Sequence, residues 1–226
     1  MTGMPSTNNA PCVSVVDDDP AILRALSSLF DTVRQPYRVF KSAEEFLATH
    51  REGSPGCVLL DIRKPEMDGM QLLQRLTESH SCLPVIVVTG HPDVALAVRA
   101  IKLGAFDLLE KPFNNQTILE RVQQAFHRSA SCLEARRARE RARARVAKLT
   151  HREREVFELL ALGKTTKEII SALGISHQTL SIHRSRVHEK LEAQSLVYLV
   201  QVHRLLGQEP PEEASAPAPL GVSGGG

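Results

Sequence analysis

The sequence contains no tryptophan, and only 4% of its 226 residues are aromatic. No apolar run approaches the ~20 residues that a membrane-spanning helix requires. The N-terminus, MTGMPSTNNA, also lacks the basic and apolar segments of a secretory leader. We therefore expect a soluble, cytoplasmic protein. Hydrophobic residues make up 42% of the chain and charged residues 24%, which is typical of packed globular domains, and the length suffices for two of them.

Cysteine is also scarce, and its spacing excludes a common kind of metal site. The four cysteines are Cys12, Cys57, Cys82 and Cys132. None forms a C-x-x-C pair, the usual component of zinc sites and of thioredoxin-like redox sites. Three of them lie in apolar, strand-like runs. We therefore expect reduced thiols that act as small core residues.

Charge is unevenly distributed along the chain, although the net charge is only +2. Residues 1–126 carry 12 Lys and Arg against 15 Asp and Glu, whereas residues 127–206 carry 16 against 8. An acidic half joined to a basic half indicates that the second half binds nucleic acid.

The first half alternates short apolar runs with segments of helical periodicity. The predicted strands are 12–16, 37–40, 58–60, 84–88 and 106–109. Continuous apolar strands that alternate with helices predict an α/β domain, a doubly wound parallel sheet covered on both faces. Two helix starts have clear capping signals, Asp19 followed by Pro20 and the S-x-x-E motif that begins at Ser42.

The second half is predicted to be entirely helical. Residues 128–148 predict a charged linker helix, either separate from the helix before it or continuous with it. Its arginines from 136 to 145 alternate largely with Ala. Its arginines either contact phosphates or are simply solvated. Residues 149–206 predict a separate all-α domain of four helices, with capping boxes that begin at Thr150 and Thr165. Residues 207–226 are rich in Pro, Ala, Glu, Ser and Gly, which predicts a disordered tail.

Five polar residues follow the predicted parallel strands. Because ligands of such sheets bind at the carboxyl ends of the strands, these residues are expected to converge on one edge. They are Asp17, Asp18, Asp61, Thr89 and Lys111. Three carboxylates at one place suit Mg²⁺, which prefers oxygen ligands and can also take phosphate oxygens.

This set of groups could stabilise a phosphoryl group during transfer, with Asp61 as the nucleophile that forms an acyl phosphate. Lys111 would add positive charge and Thr89 a hydroxyl donor. The alternative is that Asp17–Asp19 form a solvated turn and that Lys111 is a surface charge. That alternative explains any one of these residues, but it does not explain why all of them lie at strand ends.

These residues resemble the receiver domain of two-component response regulators, over residues 12–127. The motif residues, in order, are Asp17, Asp18, Asp61, Lys64, Pro65, Met67, Gly69, Thr89, Lys111, Pro112 and Phe113. The resemblance implies a five-stranded sheet in the order 2-1-3-4-5 and phosphotransfer to Asp61 from a sensor histidine kinase. It implies Mg²⁺ ligands at Asp18, Asp61 and the backbone carbonyl of Arg63, next to Asp17.

One departure from the receiver pattern concerns the switch residue. Family members usually carry Tyr or Phe three residues before the lysine, coupled to the Thr, whereas this chain has Leu108. Either Leu108 replaces the ring in part, or the switch works differently.

The basic half resembles the LuxR-type (NarL/FixJ) helix-turn-helix over residues 149–206. The matching motifs are LTxREXEV from Leu149, GKTTKEII from Gly163, LGIS from Leu173 and TLSIHR from Thr179. One departure is Thr166, where the family often has Asn. The resemblance implies binding to double-stranded promoter DNA, with the third helix in the major groove.

A helical projection of that third helix places Leu180, Val187 and Leu191 on the face toward the core. The opposite face offers four candidates for base contacts: Gln178, Ser181, Ile182 and Ser185. Four further residues are better placed for phosphates: Lys167, Ser176, Thr179 and Arg186. The histidines of this helix, at 177, 183 and 188, lack the spacing of a metal site.

The combined prediction is a response regulator that dimerises on phosphorylation and binds promoter DNA, with RNA polymerase as a further candidate partner. No enzymatic activity is expected beyond self-catalysed phosphotransfer and slow self-dephosphorylation. A phosphatase with an aspartyl intermediate is the first alternative, but such enzymes usually have an acid where Arg63 stands. The second is a DNA-binding protein with a vestigial receiver, which Leu108 keeps open.

Overall fold

The computed structural model describes residues 10–51, 53–62, 69–90 and 94–207. These residues form two compact units, the first ending at Leu133 and the second beginning at Glu134. The boundary lies inside the predicted linker, 128–148. Apart from Gly207, the tail predicted to be disordered lies outside the described residues.

The first unit alternates strands and helices. Its elements are β1 (Cys12–Val16), α1 (Pro20–Thr32), β2 (Tyr37–Phe40), α2 (Ala43–Thr49), β3 (Gly56–Asp61), α3 (Gly69–Glu78), β4 (Val85–Thr89), α4 (Val94–Lys102), β5 (Asp107–Glu110) and the start of α5 (Asn115–Val146). All five predicted strands are present, with ends that differ from the prediction by a few residues.

The five strands form one parallel sheet in the order β2-β1-β3-β4-β5, so the predicted fold is confirmed. The central strands are apolar at nearly every position because helices cover both faces. On one face, Val16 and Leu60 pack with α2 and α3 through residues such as Leu73. On the other, Val15 and Leu59 pack with residues of α1 and α5.

The helix caps follow the sequence signals closely. The Asp19 carboxylate accepts a hydrogen bond from Ala21 N at 2.7 Å and caps α1. Ser42 caps α2 by accepting from Glu45 N, but the Glu45 carboxylate accepts from Lys41 N rather than from Ser42 N. The predicted capping box at Ser42 is therefore only half present.

Helix α5 is continuous through the Arg- and Ala-rich segment, from Asn115 to Val146. Its receiver part is held at the amino-terminal edge of the sheet, where Gly56 N donates a 3.2 Å hydrogen bond to the buried hydroxyl of Ser129. Gly56 is required there because a Cβ would lie 2.4 Å from Cys12 O.

The prediction of four reduced thiols was wrong for one pair. Cys82 and Cys132 form a disulfide, with Cα atoms 5.5 Å apart. Cys12 and Cys57 remain free thiols. Cys82 lies in the segment before β4 and Cys132 lies in α5, and packing of α5 on the sheet brings them together across 50 residues of sequence. Spacing along the chain contains no signal for such a contact.

The second unit contains the end of α5 and four further helices, as predicted. They are α6 (His151–Ala161), α7 (Thr166–Leu173), α8 (His177–Lys190) and α9 (Leu196–Gly207). Both predicted capping boxes, at Thr150 and Thr165, are complete, and Gly174 ends α7 with a positive φ of 63°. Arg145 of α5 donates hydrogen bonds to Tyr198 and to Glu192.

Across the described ranges, every helix is too short or too polar to cross a lipid bilayer.

Candidate functional site

The carboxyl edge of the sheet gathers the predicted acidic and basic residues. Asp17 directly follows β1, Asp61 ends β3, Thr89 ends β4 and Lys111 directly follows β5. The Lys111 ammonium lies 2.7 Å from Asp17 Oδ2 and 2.7 Å from Asp61 Oδ2. One cation therefore joins two carboxylates from separate strands, and the solvated-turn alternative does not describe this arrangement.

Carboxylate oxygens of Asp17, Asp18 and Asp61 all lie within 4.8 Å of one another. Asp18 is exposed, whereas the side chains of Asp17 and Asp61 are only 4% and 12% exposed. Carboxylate oxygens are the ligands that Mg²⁺ prefers, so this cluster of three aspartates fits the predicted ion. Arg63, whose carbonyl was expected to complete the set, lies outside the described residues.

The charges of the pocket alter one another. Burial raises the pKa of Asp17, and the hydrogen bond from Lys111 offsets this shift only in part. Burial by itself would lower the pKa of Lys111, but the hydrogen bonds and the attraction of Asp17 and Asp61 outweigh it, so its pKa is raised. Lys111 therefore stays a cation between the two carboxylates.

Backbone contacts position these side chains. Asp19 N donates a 2.9 Å hydrogen bond to Asp17 Oδ1, which orients that carboxylate. Lys111 N donates a 2.8 Å hydrogen bond to Thr89 O, which fixes the lysine beside the end of β4. The Thr89 side chain is completely buried.

Gly69, the first residue of α3, lies against the backbone at the end of β3. A Cβ at this position would lie 2.6 Å from Asp61 O and 2.7 Å from Ile62 Cα. Only glycine allows this approach without a shift of the backbone. The glycine of the receiver motif is therefore a packing requirement next to Asp61.

Leu108, at the expected switch position, is half-buried and packs with the core on the α2–α3 face of the sheet. The nearest aromatic residue, Phe106, packs on the opposite face, with α1 and α5. Phe106 therefore does not replace the missing ring, because the two residues lie on opposite sides of β5.

The predicted recognition helix, α8, has the expected two faces. Leu180, Val187 and Leu191 are buried in the core of the second unit. The residues predicted to contact DNA lie at the surface. Lys167, Ser176, Gln178, Ser181, Ile182, Ser185 and Arg186 are exposed, and Thr179 is half-buried.

Two of these residues have a structural task as well. Ser176 caps α8, because its hydroxyl accepts from Thr179 N at 3.1 Å and lies 2.8 Å from Thr179 Oγ1. The two hydroxyls thus bond to each other at the start of the helix.

The histidines of α8 have a separate setting. His188 Nδ1 lies 2.8 Å from Ala193 O. Within the described part of the chain, the α8 histidines belong to no group of candidate metal ligands.

Sequence reasoning missed a buried ion pair in the second unit. Glu153, only 1% exposed, accepts a 2.6 Å hydrogen bond from Lys190, which joins α6 to the end of α8. This bond, with those from Thr150, lowers the pKa of Glu153 to about 2. The sequence identified Glu153 as part of a capping box, but its pairing with a residue 37 positions later has no local signal.

Two family models match the chain. Residues 13–123 match the response regulator receiver domain, and residues 147–203 match the bacterial regulatory proteins of the luxR family. Together they cover the sheet with its acidic pocket and the helical unit that contains α8.

Proteins of known role resemble the whole chain rather than one unit. The transcriptional regulatory protein FixJ of Azorhizobium caulinodans is 39% identical over 203 residues, which is 90% of this chain and 96% of that protein. FixJ of Bradyrhizobium diazoefficiens is 37% identical, covering 84% and 93%. The solved structure of the response regulator StyR is 34% identical, with a TM-score of 0.75 and coverage of 86% and 98%.

Proposed function

Because the chain belongs to the FixJ-type response regulators, which join a receiver domain to a LuxR-type DNA-binding domain, we propose that a sensor histidine kinase phosphorylates Asp61. The phosphorylated chain then dimerises and binds promoter DNA in the cytoplasm. The observation that carries the proposal is the Lys111 ammonium held between Asp17 and Asp61, at 2.7 Å from each.

In the proposed reaction, a carboxylate oxygen of Asp61 attacks the phosphorus of a phosphohistidine. The P–N bond breaks, its electron pair returns to the imidazole, and an acyl phosphate forms on Asp61. Lys111, which stays charged, moves its hydrogen bond from the carboxylate to a phosphoryl oxygen and so neutralises developing charge. Asp17, Asp18 and Asp61, with the Arg63 carbonyl, are the proposed ligands of Mg²⁺. When bound, that ion supplies further charge neutralisation at the phosphoryl oxygens.

The conformational change that follows phosphorylation of Asp61 is proposed to begin at Thr89. Its hydroxyl is proposed to turn toward the phosphoryl group, and Leu108 moves into the space that Thr89 vacates. A leucine is smaller than the Tyr or Phe that the family usually has here, and it has no hydroxyl. Its movement therefore changes the surface beside β5 less than the movement of a ring would. The shift in population between the inactive and active forms is therefore expected to be modest.

A surface suited to dimerisation lies beside this switch. Val94, Val98 and Ile101 of α4 are all exposed. Apolar side chains grouped on one helix face favour burial against a partner, and an identical patch on a second copy would form a two-fold interface. Such a dimer reads two DNA half-sites that lie about one helical turn apart, and RNA polymerase is a candidate partner there.

In the DNA complex, α8 is proposed to enter the major groove. Gln178, Ser181, Ile182 and Ser185 face the bases. Lys167, Arg186 and the capped start of α8 at Ser176 and Thr179 face the phosphates. All of these residues except the half-buried Thr179 are exposed, which supports the proposal.

The first experiment is intact mass spectrometry after incubation with Mg²⁺ and a small acyl phosphate donor, followed at once by size-exclusion chromatography. We expect one phosphoryl adduct on the parent chain, none on Asp61→Asn, and a shift toward dimer. Absence of an adduct would contradict the assignment of Asp61. An adduct without any dimer shift would contradict phosphorylation-promoted dimerisation and would point to Leu108 and a different means of control.

A further inference from the structure

The disulfide between Cys82 and Cys132 lies at the edge of the sheet opposite the acidic pocket. Cys82 is in the segment that precedes β4, and Cys132 is in α5, two residues before Glu134, where the second unit begins. The bond therefore fixes α5 to the sheet at the last turn of the first unit. Nothing in the proposed phosphotransfer uses either sulfur.

The bond adds to two non-covalent contacts at the same turn of α5. One turn before Cys132, the buried Ser129 hydroxyl accepts the hydrogen bond from Gly56 N, and Leu133 is buried beside it. Beyond this point, the next residues of α5 are exposed. The disulfide is thus the covalent member of a small set of contacts that hold this turn of α5 on the sheet.

One of the two sulfurs is within reach of solutes. Cys82 is only 9% exposed, but Cys132 is half-buried. The more exposed Cys132 is therefore expected to react first with a solute, and the buried Cys82 to resolve the intermediate.

We propose that Cys82 and Cys132 form a reversible thiol–disulfide site, whose reaction partner is a low-molecular-weight disulfide of the glutathione type. The Cys132 thiolate attacks the small disulfide, whose S–S bond breaks and releases one thiolate. The Cys82 thiolate then attacks Cys132 Sγ in the mixed disulfide and releases the second. Two protein thiols are oxidised, one small disulfide is reduced to two thiols, and the two protons go to the leaving thiolates.

The setting favours a reversible bond over a permanent one. The chain is proposed to work in the cytoplasm, where thiol buffers keep most cysteines reduced and where disulfides tend to be transient and redox-sensing. The Cα atoms of the bonded pair are 5.5 Å apart, within the usual range for a disulfide, so the bond fits this fold. We expect the reduced form to keep the same fold and to hold α5 less firmly near residue 132.

The redox site is separate from the phosphorylation site. Cys82 precedes β4 and Thr89 ends it, so the five residues of this strand separate the two edges by roughly 15 Å. Oxidation is therefore expected to leave phosphoryl uptake by Asp61 unchanged. The inference takes only the cytoplasmic location from the proposed function, and its failure would be visible without phosphorylation or DNA.

The test equilibrates the full-length chain in a series of reduced and oxidised glutathione mixtures, followed by acid quenching, intact mass and peptide mapping. We expect a loss of the mass of two hydrogens across the series, an 82–132 cross-link as the product, and full reversal when the ratio is reversed. Hydrogen exchange of the peptide that covers 126–133 should be slower in the oxidised form. The oxidised form should also melt roughly 10 °C higher.

Cys132→Ser should abolish the cross-link and the difference in hydrogen exchange, whereas Cys12→Ser, which changes another half-buried thiol, should leave both intact. Should Cys132→Ser not fold, the parent chain in the redox series still decides the matter. Free thiols at both Cys82 and Cys132 in a folded chain under fully oxidised glutathione would overturn the proposal. So would a bond that survives fully reduced glutathione, or a glutathione adduct on Cys132 that never closes to Cys82.

Discussion

The ammonium of Lys190, at the end of α8, lies 2.6 Å from the carboxylate of Glu153, at the start of α6. The Glu153 side chain is almost completely buried. The carboxylate also accepts a hydrogen bond from Thr150 N at 2.8 Å and so completes the cap of α6. One carboxylate thus caps α6 and holds the end of α8.

The first prediction concerns acid stability. The pKa of Glu153 is about 2 in the folded protein and 4.5 ordinarily. A carboxyl whose pKa is lowered on folding stabilises the fold at pH values above its ordinary pKa. This contribution is lost as the pH falls from 4.5 toward 2. Glu153→Gln should cost about 2–3 kcal/mol at neutral pH and little near pH 2. Calorimetric melts across this pH range measure the difference, with the exposed Glu158→Gln as control. An equal loss of stability in Glu153→Gln at all pH values would show that the negative charge of Glu153 does not stabilise the fold.

The second prediction concerns the cation of the pocket. Lys111→Met removes the positive charge that two carboxylates share, so Mg²⁺ should bind more tightly, on the order of tenfold. Phosphoryl uptake should nonetheless fall by roughly two to three orders of magnitude, because a preorganised cation is lost at the developing charge. Titration calorimetry and the rate of adduct formation measure the two effects. Weaker Mg²⁺ binding would show that Lys111 organises the carboxylates rather than competing with the ion.

The third prediction concerns Gly69. Gly69→Ala forces a methyl group to within 2.6 Å of Asp61 O, so the backbone must shift, at a cost of about 1–3 kcal/mol. The matched control is Gly90→Ala, whose Cβ would meet nothing within 4 Å. Thermal melts should show a lower Tm for the first variant and a nearly unchanged Tm for the second. Equal melting temperatures would mean that α3 adjusts freely at its start.

The fourth prediction separates phosphate contacts from base contacts. Lys167→Ala should weaken binding to all DNA sequences alike and reduce the slope of log affinity against log salt by about 1. Gln178→Ala should leave that slope unchanged and cost about 1–3 kcal/mol at one base pair. DNA recovered by in vitro selection, followed by titrations at several salt concentrations, distinguishes them. A change of the salt slope in Gln178→Ala would show that Gln178 contacts a phosphate of the DNA backbone rather than a base.

Much of the molecule could be predicted because its signals are local. Caps at Asp19, Thr150 and Thr165 follow from adjacent residue types, and the strand order follows from recognition of the receiver motif. The convergence of Asp17, Asp61 and Lys111 followed from one rule about parallel sheets. These inferences needed no knowledge of side-chain packing.

What could not be predicted depends on packing between distant segments. The Cys82–Cys132 bond and the Glu153–Lys190 pair join residues 50 and 37 positions apart. Each requires two segments that are distant in sequence to lie side by side, which periodicity does not supply. The capping box at Ser42 failed for a smaller reason, since the Glu45 carboxylate bonds the residue before the cap.

The hydrogen bond between Arg145 and Tyr198 has a practical consequence. The chain has two tyrosines and no tryptophan. Tyr37 belongs to β2 of the first unit and Tyr198 to α9 of the second. Each unit therefore carries one intrinsic fluorophore. In a Tyr37→Phe chain, all tyrosine fluorescence comes from Tyr198, whose hydroxyl accepts a hydrogen bond from Arg145 near the end of α5. Tyrosine fluorescence can therefore follow this contact without an attached dye.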